Sequence, residues 1–146
     1  MVKESHLGEI ILRKYEKPYE SSQRELLRKV CLSLGFLQPG DSRDIIVDIM
    51  LILEESRKKK EWLSSFQIRD LVEKSRKDNS LEVKGLAESN IRRQLKRLRD
   101  SLIVDKKENQ YRISEFSPMK EIFETKIERF LIPQITDRIK EYLGKL

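Results

Sequence analysis

The stretch from Glu88 to Ser114, ESNIRRQLKRLRDSLIVDKKENQYRIS, constrains this chain more than any other because its apolar period changes partway along. Ile91, Leu95 and Leu98 recur at i, i+4 and i+7, the spacing of one helical face, while Arg92, Arg93, Lys96 and Arg97 fall elsewhere on the wheel. After Asp100 the pattern becomes a short apolar strand, Leu102 to Val104. A polar turn, Asp105 to Asn109, and an alternating strand, Gln110 to Ser114, complete a hairpin. A short basic helix feeding directly into two strands can pack on one side and present cations on the other.

Charge is concentrated in the same place. The 146 residues carry 31 Lys+Arg and 25 Asp+Glu, a net charge of +6 that alone decides little. Between Leu86 and Arg112, however, eight cations face four anions, so most of the surplus sits in this short span. The length allows one domain with terminal extensions but not two large domains.

Upstream, the polar arm 1–18 contains one apolar patch, Gly8 to Leu12, compatible with a helix or a strand. Ser21 or Ser22 is placed to cap a helix ending near Leu34, with Gly35 as its stop and Gln38 to Asp41 as a turn. Asp41 or Ser42 should cap the next helix. There Ile45 to Leu53 is apolar except at Asp48, so that helix must be covered on more than one side. The run Arg57 to Lys60 suits a helix C-terminus. Glu61 to Leu63 reads as extended, and Ser64 or Ser65 caps a helix to about Lys77 with Phe66, Ile68, Leu71 and Val72 as its apolar positions. Asp78 to Gly85 is a polar turn anchored by Leu81 and Val83.

From Ser117 onward one helical pattern continues to the end, with Pro133 expected to kink or split it. Its stripe includes Phe123, Ile127, Phe130, Leu131, Ile135, Ile139, Tyr142 and Leu143, longer than a three-helix core can use. Pairing with a second copy would bury it, so a homodimer is expected.

On a wheel of 100° per residue, Ser89, Arg93, Lys96 and Arg97 lie opposite Ile91, with Asn90 and Arg92 on the flanks. These side chains suit a duplex: Arg donates two hydrogen bonds to guanine, Asn pairs with adenine, and Ser89 at a helix N-terminus can hold phosphate. Lys106 and Lys107 at the hairpin tip, with Arg112 behind, are expected on the neighbouring backbone. The plainer explanation is a solvated basic face. A rival function is a protein-interaction module docked onto a larger assembly, with the basic face meeting an acidic protein.

Ser64 to Ser114 resembles the winged helix-turn-helix of bacterial and archaeal transcriptional regulators of the MarR, ArsR and PadR kind. The likeness rests on LSSFQIRDLV as second helix, SNIRRQLKRLRDSLIV as third helix and strand, and NQYRI as return strand. It covers about a third of the chain, and half if the preceding helix is included. The resemblance implies a mainly α fold with a small β-hairpin wing flanked by N- and C-terminal helices. The divisions are an arm and helix over 1–40, a winged domain over 41–116, and a dimerisation segment over 117–146. It also implies a third helix in the major groove of double-stranded DNA. By position in the motif, Asn90, Arg92, Arg93, Lys96, Arg97 and Lys106 would be its contacts. The segment before residue 41 has no counterpart in that pattern.

Other classes find little support. There is no glycine-rich phosphate loop, HExxH, CxxC or GxSxG pattern, so neither catalysis nor a cofactor is expected. His6 is the only histidine and Cys31, within LLRKVCLSL, the only cysteine, so no metal site and no disulfide framework are expected, and Cys31 reads as core. An RNA-binding adaptor would want exposed aromatics, which Ser89 to Lys107 lacks. No apolar run is long enough for a bilayer, and MVKESHLGEIIL carries glutamates where a secretory leader is apolar. A cytoplasmic location follows as the expectation, and abundant Lys, Glu and Ile with three Asn suggest an archaeal source.

Overall fold

The computed structural model describes residues 4–146 and is mainly α-helical with a small antiparallel sheet. Helix α1 (Gln23–Ser33) begins at Ser22, whose hydroxyl accepts from the Glu25 amide at 3.2 Å, satisfying one of the free donors of the first turn. It stops before Gly35, whose φ of +74° and absent side chain let Ile11 of the arm lie against it; a Cβ there would fall 2.5 Å from that of Ile11. Helix α2 (Ile45–Lys59) follows the Gln38–Asp41 turn.

Neither Asp41 nor Ser42 caps α2, contrary to the sequence expectation. The Asp41 carboxylate instead closes the turn by accepting from the Gln38 amide at 2.9 Å. The N-cap position is Asp44, and it makes no capping bond because its carboxylate is held by Arg24 at 2.7 Å, Arg76 at 3.1 Å and Arg28 at 3.4 Å. Asp48, the one polar interruption in the apolar run, is 1% exposed and pairs with Arg24 and with Arg76, the latter at 2.5 Å. A carboxylate buried this deeply requires such partners. The resulting cluster ties α1, α2 and α3 together, and the bonds to Asp48 and Asp44 raise the Arg24 pKa against the opposing effect of burial.

Strand β1 (Leu63–Ser64) leads into α3 (Ser65–Asp78), whose start is a reciprocal cap: Ser64 Oγ accepts from the Gln67 amide, and the Gln67 side chain accepts from the Ser64 amide. The connection to α4 (Glu88–Asp100) is anchored by buried Leu86 and by Arg76 Nε donating to Glu82 O at 2.6 Å. Val83 does not anchor it and is 40% exposed.

Strands β2 (Val104–Lys107) and β3 (Gln110–Ile113) form a hairpin, and β1 pairs with the other edge of β3, giving the order β1-β3-β2. The strand begins later and the turn is tighter than the pattern suggested: only Glu108 and Asn109 separate Lys107 from its partner Gln110. Lys106 and Lys107 therefore belong to the ladder. Fully buried Ile49, Leu53, Ile68, Val72, Ile91, Leu95, Leu98 and Ile113 bring α2, α3, α4 and β3 into one core. The outer side of α2 is covered by α1, through Cys31 on Met50, and the start of the C-terminal rod adds Ile122 and Ile127 to the core.

That rod comprises α5 (Met119–Ile122), a wider π-helical stretch Phe123–Leu131, and α6 (Ile132–Leu143). Pro133 does not split it. Leu131 and Ile132 keep helical dihedrals, and the Ile132 amide donates to Ile127 O five residues back. A proline ring in an α-helix clashes with the carbonyl four residues earlier, and wider turns ahead of it relieve that conflict.

Candidate nucleic-acid interface

Helix α4 is seated by Ile91, Leu95 and Leu98, each with no exposed surface, which fixes the direction in which its remaining side chains point. The outward arc carries Ser89, Arg92, Arg93, Lys96 and Arg99, all exposed. Arg99 was missed in the sequence reading. On the wheel it lies only about 20° from Arg92, so the helical period held the signal.

These cations are not equivalent. Lys96 pairs with Asp100 at 3.0 Å in full solvent, an ion pair of little energetic weight. Arg93 donates to Asn90 Oδ1 at 2.7 Å, and Gln94 donates to the same oxygen at 3.2 Å. Asn90 in turn donates to Gly85 O at 2.7 Å, so its amide is already engaged by its own chain. Arg92 lies 3.4 Å from Glu88 and stacks its guanidinium 5.8 Å from the Phe66 ring centre.

Arg97 does not join the outward arc. Its guanidinium donates to Phe36 O at 3.0 Å, Gly35 O at 3.3 Å and Gln94 Oε1 at 2.9 Å, and lies over the Phe36 ring. It therefore binds α4 to the loop after α1. The wheel placed it opposite the buried stripe, but a wheel contains nothing of the neighbouring loop.

On the hairpin, Lys106 and Lys107 are exposed, and Lys106 leans over the Tyr111 ring at 5.7 Å. Arg112 is withdrawn. It sits between the rings of Trp62 at 4.4 Å and Phe116 at 4.8 Å and donates to Asp105 at 3.0 Å. Burial works against ionising Asp105, but the Glu115 amide and Arg112 outweigh it and hold this carboxyl below the usual range.

The residues expected at a dimer contact divide in two. Ile127 is 1% exposed and belongs to the core, while Phe123, Leu131 and Ile135 are partly covered. Phe130, Ile139, Tyr142 and Leu143 are exposed on the distal rod. Two grooves flank the arm: one of about 900 Å³ against α1 and the start of the rod, and a wider one of about 1400 Å³ reaching Arg97 and the distal rod, with His6 on its wall.

Among the described residues, no group of three or more His, Cys, Asp or Glu side chains converges as metal ligands do, and no helix is long and apolar enough to cross a membrane. No protein-family model, curated protein or solved structure matches the chain.

Proposed function

We propose that this is a winged helix-turn-helix protein in which α2, α3 and α4 are the three helices and β2 with β3 the wing. In this reading it acts as a homodimeric DNA-binding transcriptional regulator without catalysis. The observation that carries the reading is the exposed row of Arg92, Arg93, Lys96 and Arg99 on a helix whose opposite face is wholly buried. A rigidly seated helix of this width enters a major groove, where its cations meet base edges and phosphates. Lys106 and Lys107 supply the sequence-independent contacts from the hairpin. The exposed distal rod supplies the partner surface for a second copy.

A protein-interaction module is the second reading. It is favoured by the pairing of Lys96 with Asp100 and Arg92 with Glu88, which weakens the field of the helix. Titrating fluorescent duplexes with the whole chain at low and moderate salt separates the two. About four phosphate contacts per protomer, about eight in the dimer, predict a loss of affinity on the order of ten-thousandfold between about 50 and 200 mM salt. Absence of duplex binding at the lower salt would remove the DNA reading and promote the interaction module. Tighter binding to single-stranded RNA than to duplex would point to an RNA adaptor.

A further inference from the structure

Among the outward-facing cations of α4, Arg92 alone lies beside both a carboxylate and an aromatic ring. Ser65, the first residue of α3, is fully buried and donates its hydroxyl to Glu88 Oε1 at 2.6 Å. That carboxylate is thereby fixed at the junction of two helices, and one turn further along α4 it receives Arg92 Nε at 3.4 Å. The guanidinium also lies over the Phe66 ring, 55% exposed at the start of α3, 5.8 Å from its centre. The second oxygen, Glu88 Oε2, is buried and has no hydrogen-bond partner among the described residues, so it is Oε1 that both Ser65 and Arg92 approach. Arg93, by comparison, has only an exposed amide oxygen, and Lys96 only an exposed Asp100.

Three consequences follow from this cradle. An arginine loses much rotamer freedom when it docks, and one whose guanidinium is already placed loses less. A carboxylate beside it disfavours a phosphate at the same point, which directs the guanidinium toward an uncharged acceptor. Nε is the atom paired with Glu88, at 3.4 Å and without a hydrogen bond, so the outer edge of the fork remains available for paired acceptors such as guanine O6 and N7. We propose that Arg92 is the base-reading residue of α4, its ligand a guanine edge in the major groove, with Phe66, Glu88 and Ser65 as the positioning residues that hold it. This rests on the reading of α4 as the duplex-binding helix.

The test begins with the intact protein and a pool of random duplexes, from which a preferred site is selected. Affinities are then measured for that site and for its single-base replacements, including 7-deazaguanine for guanine. The parent should lose at least fivefold on replacing one particular guanine. Arg92→Lys should flatten that preference while changing affinity for unrelated duplexes less than about threefold. Phe66→Leu and Glu88→Gln should weaken preference at the same base pair, whereas Phe66→Tyr, which keeps the ring, should preserve it. Arg92 and Phe66 are exposed and Glu88 is partly buried, so all variants are compared at matched melting temperature. Unchanged discrimination in Arg92→Lys, or a uniform loss across all duplexes in Phe66→Leu, would overturn the assignment of Arg92 while leaving duplex binding intact. A parent protein that binds no duplex at low salt would overturn both this proposal and the reading beneath it.

Discussion

Arg97 gives its donors to the Gly35 and Phe36 carbonyls, in the loop just past α1. Its removal should therefore be felt first as lost stability. Arg97→Ala is expected to cost about 1–2 kcal/mol in urea unfolding, and to change the duplex affinity of the folded protein less than Arg92→Ala does. Cys31 obeys the same logic of place over type. Burial against Met50 pushes its thiol from an ordinary value near 9 up to about 12, so the fold excludes the thiolate. Because the folded value is the higher one, the stabilisation is complete below about pH 9 and is lost as pH rises toward 12. Urea midpoints between pH 8 and 11 should fall more steeply for the parent than for Cys31→Ala, and native Cys31 should react slowly with thiol reagents. The core position of Cys31 was legible because LLRKVCLSL repeats at helical spacing. The position of Arg97 was not, since its partners lie 61 and 62 residues away.

At the scale of single elements, legibility followed local chemistry. Ser22 and Ser64 announce α1 and α3 because each satisfies its own first turn through a residue three positions on. Ser64→Ala should lower stability by about 1 kcal/mol, read as a drop in the thermal midpoint, and Ser64→Asp should recover most of it. The start of α2 was hidden because the Asp44 carboxylate serves three arginines from two other helices instead of its own helix end. The hairpin was recognisable from its alternating residues, but its register was not, because Asp105 to Lys107 are polar and still pair across the ladder. The rod was misjudged for a different reason. A period of 3.6 assigns one face to Ile127 and Phe130 together, whereas the wide turns bury Ile122 and Ile127, five residues apart, and leave Phe130 at 52% exposure.

At the scale of the whole molecule, the rod's exposed apolar surface is smaller than the sequence stripe and lies farther out, at Phe130, Ile139, Tyr142 and Leu143. In the proposed dimer this distal rod carries the contact. Light scattering at micromolar concentration should give twice the 17.4 kDa chain mass, and Tyr142→Glu with Leu143→Glu should shift it toward the monomer without unfolding the core. A monomer mass for the parent would eliminate the homodimer. The loop from Leu32 to Gln38 has a reach that extends beyond stability. Arg13 of the arm donates to Leu32 O and Leu37 O, and Arg97 of α4 donates to Gly35 O and Phe36 O, so two distant segments grip one short piece of backbone. Where a ligand on α4 shifts the grip of Arg97 on this backbone, reciprocity requires that docking of the arm shift the affinity for that ligand by the same factor. Proteolytic nicking of residues 4–20 then becomes a reporter of what α4 is holding some distance away.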